Sequence, residues 1–190
     1  MGKLNKILAQ VQEHQRVIEK LSEKNFIDKI EAICRLIVDT IKRGNKVLLF
    51  GNGGSASDAQ HIAAEFTGRF VKNRKAYPAI ALTTDTSAIT AISNDYGFER
   101  IFARQIEALA QTGDVVIGIS TSGNSPNVIL GLHEAKKQAC KLIGFTGNDG
   151  GQMKDICDYC LTVDSDITAR IQEAHILIGH IICSAIDDLC

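Results

Sequence analysis

Apolar residues recur every three or four positions at the start of the chain. Leu4, Ile7, Leu8, Val11 and Ile18 are followed by Ile27, Ile30, Ile33, Leu36, Ile37 and Ile41. That spacing lines one face of a helix, so residues 1–44 read as an N-terminal helical segment. Gly44 supplies its stop signal. The pattern then changes. Lys46–Phe50 (KVLLF), Ala79–Leu82, Val115–Ser120 (VVIGIS), Lys141–Thr146 (KLIGFT) and Tyr159–Val163 are short apolar runs, the signature of strands buried on both faces. Helices are expected between them: one from about Ser55, one opening at Ser125–Pro126, and a last one from Thr168 to near the C-terminus. Alternating strands and helices predict an α/β fold, a doubly wound five-stranded parallel sheet with N-terminal helices. No linker or repeat divides the chain, so one domain is expected over residues 1–190.

Composition narrows the function. A chain of 190 residues with 45% hydrophobic residues can close a sizeable core. Its formal net charge of −1 offers no basic field for DNA or RNA. The N-terminus MGKLNKILAQVQEHQRVIEK is charged throughout, unlike a signal peptide, and Lys6 breaks the myristoylation pattern that Gly2 would begin. No apolar run reaches membrane-spanning length, so a cytoplasmic protein is expected. The six cysteines (Cys34, Cys140, Cys157, Cys160, Cys183 and Cys190) read as reduced thiols. Cys157 and Cys160 form a CxxC, but without a second CxxC and with Cys160 entering a strand it reads as structural rather than as a zinc or redox pair.

Two glycine- and hydroxyl-rich segments carry the chemistry. Gly51-Asn52-Gly53-Gly54-Ser55-Ala56-Ser57-Asp58 follows a strand and opens a helix. Free N–H groups and the positive end of the helix dipole bind anions there. Ser55 and Asp58 also have capping-box spacing, which a plain turn would use. The stretch fits the dinucleotide fingerprint as well, but no acidic residue stands cleanly about 20 positions on, and Asp85 lies farther along. No Walker lysine is present. Ser120-Thr121-Ser122-Gly123-Asn124-Ser125-Pro126 follows the third strand, with Ser125 as N-cap and Pro126 at the first helical position. A capped turn needs one of these hydroxyls, whereas a phosphate monoester could use all of them. In a doubly wound sheet both segments flank the topological switch point. On the helix after the first, His61, Glu65 and Arg69 fall at i, i+4 and i+8, so His61 and Glu65 could share one metal or one substrate. On the last helix, His175 and His180 both lie among apolar residues, and helical spacing alone would pair Gln172 with His175.

Together GNGGSASDAQHIAAEFTGRF, ISNDYGFE, STSGNS and RIQEAHILIGH resemble the bacterial phosphoheptose isomerases, sedoheptulose 7-phosphate isomerases of the sugar-isomerase (SIS) fold. The resemblance covers nearly the whole chain. It implies a homotetramer with active sites at subunit interfaces, and conversion of sedoheptulose 7-phosphate to D-glycero-D-manno-heptose 7-phosphate for surface polysaccharide. It implies one Zn²⁺ per subunit, held by His61, Glu65, Gln172 and His180, with Glu65 and His180 catalytic. The substrate contacts it implies are Asn52, Gly53, Gly54, Asn94, Asp95, Ser120, Thr121, Ser122 and Ser125, and the expected set is completed by Ser55, Glu65, Arg69 and Gln172. A relative of the same fold is a non-catalytic protein that binds the bacterial replication initiator. Glu65 and His180 favour the enzyme over that binding module.

Overall fold

The computed structural model describes residues 3–189; Gly2, Cys190 and the side chain of Leu4 lie outside the described residues. Two helices come first, α1 (Lys3–Leu21) and α2 (Lys24–Lys42). The N-terminal helical segment thus breaks at Ser22–Glu23, where Glu23 is extended. Five strands follow: β1 (Val47–Gly51), β2 (Ala79–Ala81), β3 (Val115–Ser120), β4 (Lys141–Gly147) and β5 (Tyr159–Val163). Each lies within a residue or two of its predicted run. The helices between them are α3 (Gly54–Thr67), α4 (Thr86–Tyr96), α5 (Ile101–Leu109), α6 (Pro126–Lys137) and the short α7 (Met153–Ile156), with α8 (Thr168–Leu189) last.

All strands are parallel, in the order β2-β1-β3-β4-β5. The order reverses between β1 and β3, which makes their C-terminal ends the switch point. Side chains alternate across the sheet. Val47 and Leu49 of β1 join one core with Val17, Ile33, Ile37, Ile62, Ile178 and Ile182, under α1, α2, α3 and α8. Leu48 and Phe50 join the other, with Phe102, Ile106, Val128 and Leu132 from α5 and α6.

The sequence pattern did not reveal α4 and α5. No residue of α4 is fully buried, its apolar contact being the partly buried Ile89 and Ile92, and α5 spans only Ile101–Leu109. Among the described residues no helix is long and apolar enough to cross a membrane.

Candidate active site

The chain turns sharply where β1 ends. A Cβ on Gly51 would stand 2.7 Å from the Ile119 carbonyl oxygen and 2.8 Å from Ser55 Cβ, so only glycine fits between the two central strands. Gly53 then takes a φ of +58° and precedes α3, where the Ser55 N–H donates to the Asn52 carbonyl and the Ala56 and Ser57 N–H groups donate to the Gly53 carbonyl. α3 begins at Gly54, so Ser55 sits inside the first turn, buried, and the expected capping box does not form. Asp58 Oδ2 is instead buried without a hydrogen-bond partner, and burial pushes this carboxyl up to about 6, against a smaller opposing effect of His61.

Across the crevice, Ser125 occupies the N-cap position of α6, but its hydroxyl does not cap the helix. It bonds Ser120 Oγ at 2.9 Å, and Ser120 Oγ also lies 3.4 Å from Ser122 Oγ. Ser122 Oγ accepts from the Asn124 N–H at 3.2 Å. The Thr121 carbonyl accepts from Gly147, which fastens this loop to the end of β4. The two loops are joined by a pairing that sequence reasoning missed. Asn52 and Asn127 each donate an amide N–H to the other's carbonyl oxygen, both at 2.8 Å. Asn127 is 2% exposed.

The acid–base candidates lie along α3 and α8, which pack side by side and parallel. Gln172 covers Gly54, where a Cβ would meet its amide nitrogen at 2.5 Å. Gly179 lies against Ile62, and a Cβ there would meet Ile62 Cδ1 at 2.6 Å. This close approach sets His180 Nε2 2.9 Å from His61 Nε2, with Glu65 Oε1 3.5 Å from the same His61 nitrogen. Phe70 stacks on the His180 ring, centroids 5.5 Å apart. His61, Glu65 and His180 therefore meet within one chain, while Gln172 stands at the head of α3. As the side chains lie, no group of three or more His, Cys, Asp or Glu among the described residues is gathered to hold a metal ion.

His175 takes no part in this group. It is fully buried, and its Nε2–H donates to the Thr146 carbonyl at 3.0 Å. Burial pushes its pKa down to about 4, against the smaller effect of that hydrogen bond. Arg69 departs from its expected place. α3 ends at Thr67, so Arg69 lies beyond the helix and donates to the Val71 carbonyl at 3.3 Å. Asn94 and Asp95 are exposed in the last turn of α4, the Asn94 amide donating to Asp95 at 2.8 Å. Asp85, the one acidic candidate for a dinucleotide ribose, caps α4 by accepting from the Ala88 N–H at 2.9 Å.

A five-stranded parallel sheet with glycine- and hydroxyl-rich loops at its switch point, flanked by a helix pair that brings two histidines and a glutamate together, is the architecture of a SIS-domain protein. A family model described as SIS domain matches residues 10–147. A phosphoheptose isomerase of a Nitratiruptor species is 56% identical over 187 residues, covering 97% of this chain and 98% of its own length. The solved phosphoheptose isomerase of Neisseria gonorrhoeae is 43% identical with a TM-score of 0.92, covering 98% of this chain and 100% of that one. That of Francisella tularensis is 37% identical with a TM-score of 0.95, covering 99% and 100%. The chain belongs to the phosphoheptose isomerase family of SIS-domain enzymes.

Proposed function

We propose that this protein is a zinc-dependent, homotetrameric, cytoplasmic isomerase that converts sedoheptulose 7-phosphate to D-glycero-D-manno-heptose 7-phosphate. The observation that carries the reading is the meeting of His61, Glu65 and His180 on α3 and α8, α3 being the helix that the glycine-rich loop after β1 opens. The phosphate sits among Ser120, Thr121, Ser122 and Ser125 and the N–H groups at the start of α6. Asn52, Gly53, Gly54 and Ser55 at the head of α3 hold the sugar's polar groups. Asn94, Asp95 and Arg69 lie on exposed elements, consistent with sites completed between subunits.

Ketose–aldose isomerisation moves a proton between C1 and C2 through an enediol. Glu65 carries that proton, as a carboxylate taking it from one carbon and returning it to the other. The His180 imidazole gives a proton to O2, on which negative charge develops, and takes one back from O1 as the aldehyde forms. The loops fix the distant phosphate, so the reacting carbons are held at Glu65 rather than sampled.

Two imidazole nitrogens and a carboxylate oxygen make a donor set of the kind zinc takes, and His61 and His180 already face one another through their Nε2 atoms. The residues that would hold the ion are His61, Glu65 and His180, with Gln172 as the fourth once its amide turns from Gly54 toward them. Bound there, zinc supplies Lewis-acid polarisation of the substrate carbonyl.

Exposed apolar side chains on α1 and α8 support an oligomer. Ile182 is buried within the subunit, and Ile181 is 39% exposed. The larger unpartnered stripe is on α1, where Ile7, Leu8 and Val11 are 62%, 54% and 49% exposed.

The purified protein is tested against a panel of sugar phosphates, with the product identified by NMR, zinc measured by elemental analysis and mass by light scattering. Turnover of sedoheptulose 7-phosphate without a nicotinamide supports the reading. Absence of turnover in zinc-loaded protein favours the non-catalytic binding module, and a monomer at micromolar concentration removes the tetramer.

A further inference from the structure

A buried ion pair lies behind the His–Glu–His group, and the chemistry proposed above does not use it. Arg74 and Asp187 have side chains 10% and 2% exposed, and Arg74 Nε donates to Asp187 Oδ1 at 2.5 Å. Each partner is bonded further. Arg74 Nη2 donates to the Glu65 carbonyl at 2.9 Å, and Nη1 donates to the carbonyls of Phe66 at 3.0 Å and Lys75 at 3.1 Å. Asp187 Oδ2 accepts from the backbone N–H groups of Val71 and Lys72, both at 2.9 Å.

These bonds join three things: the last turn of α3 at Glu65 and Phe66, the segment that leaves it at Val71 and Lys72, and the C-terminal part of α8. Asp187 lies seven residues after His180, two turns along the same face of α8. Phe70, the residue before the clamped Val71, is the one stacked on the His180 ring. The last turn of a helix has carbonyls without partners of its own, and a lysine in place of Arg74 could not satisfy the Glu65 and Phe66 carbonyls and still reach Asp187.

We propose that the Arg74–Asp187 pair is a positioning device for the active site, holding Glu65 at the end of α3 and Phe70 against His180 in register with α8. The inference rests on the isomerase reading. The pair touches no reacting atom; it acts through Glu65 and through the Phe70–His180 stack. Misplacing a reacting group by about 1 Å costs on the order of 100-fold in rate, so a small slip of the α3 terminus is enough to register in kcat.

A second buried pair provides a matched control. Lys46 Nζ lies 2.7 Å from Asp114 Oδ2, with side chains 19% and 0% exposed. Lys46 precedes β1 and Asp114 precedes β3, at the N-terminal end of the sheet, opposite the crevice. Asp187→Asn and Asp114→Asn thus remove the same charge from two buried pairs, only one of which touches the active-site segments. Arg74→Lys keeps the charge and removes the fork, and carries the test if Asp187→Asn does not fold.

The ring resonances of His180 are followed by NMR in histidine-labelled protein, assigned by their loss in His180→Gln, alongside kcat and KM for sedoheptulose 7-phosphate. The expected result is a His180 shift in Arg74→Lys and Asp187→Asn as the Phe70 ring current changes. A fall in kcat of about 10- to 100-fold should accompany it, with KM held within about 2-fold. Asp114→Asn should lower Tm and leave both readouts in place. The proposal is overturned if His180 does not move in either Arg74→Lys or Asp187→Asn, or if Asp114→Asn moves it equally. Failure of the wild-type protein to turn over the substrate would remove the isomerase reading, and the resonance comparison would still decide the clamp.

Discussion

Asn52 and Asn127 are 75 residues apart in the chain and exchange two amide hydrogen bonds of 2.8 Å across the crevice. Asn52 belongs to the loop after β1 and Asn127 to the first turn of α6, so the pair joins the glycine-rich and serine-rich loops across the crevice. Asn127→Ala removes both bonds and frees the Asn52 amide to turn. Each neutral hydrogen bond contributes about 0.5–1.5 kcal/mol, so a loss of about 1–3 kcal/mol in stability is expected. KM for the sugar phosphate should rise with it, measured by urea unfolding and steady-state kinetics. An unchanged KM would show that the loops keep their spacing without the pair.

Ser120 and Ser125 spend their hydroxyls on each other at 2.9 Å rather than on the α6 cap, which leaves both beside the free N–H groups of α6. A bound phosphate gives these hydroxyls a charged acceptor. Ser120→Ala or Ser125→Ala should each cost about 1.5–3 kcal/mol of binding, read as a higher KM. If neither substitution changes KM, the phosphate binds elsewhere.

His175 and His180 are five residues apart on α8, about 140° around the helix, so they cannot serve the same site. His180→Gln should lose zinc and most turnover, and Glu65→Gln should lower kcat by about 10²–10⁴ while keeping the shape of the side chain. His175→Gln should lose much less turnover, because its ring is sealed against Thr146. An inactive His175→Gln beside a fully active, zinc-bound His180→Gln would reverse the assignment.

His175 makes folding pH-dependent in a definite direction. Its folded pKa is about 4, below the ordinary 6.5, because the charged ring would be buried. Between those values the unfolded chain binds a proton that the folded chain refuses, so stability is lost as pH falls from about 6.5 to 4. At 1.36 kcal/mol per pKa unit the shift amounts to about 3 kcal/mol. Asp58 works the other way, since its folded pKa is raised from 3.8 to about 6 and the folded chain holds its proton longer. The His175 contribution is therefore isolated as the difference between wild type and His175→Gln in urea midpoints from about pH 7 down to pH 4. The wild type should lose more stability than the variant, and parallel curves would mean that the ring is not kept neutral by burial.

The sequence by itself determined what depends on neighbours along the chain. Buried strands are apolar runs wherever they pair, so β1 to β5 were readable, and the order of strands and helices fixed a parallel sheet. Glycine and hydroxyl residues after β1 and β3 marked the crevice because turn geometry and helix starts are local. His61 and Glu65 share a face of α3 because they are one turn apart. The tertiary structure decided what depends on residues far apart. Helical spacing put Gln172 with His175, but the packing of Gly179 onto Ile62 turns His180 toward His61 and His175 into the sheet. Arg69 left its predicted face because α3 ends before it. The Asn52–Asn127 and Arg74–Asp187 pairs join segments 75 and 113 residues apart. No periodicity announces such pairs, because their partners meet only when whole elements pack.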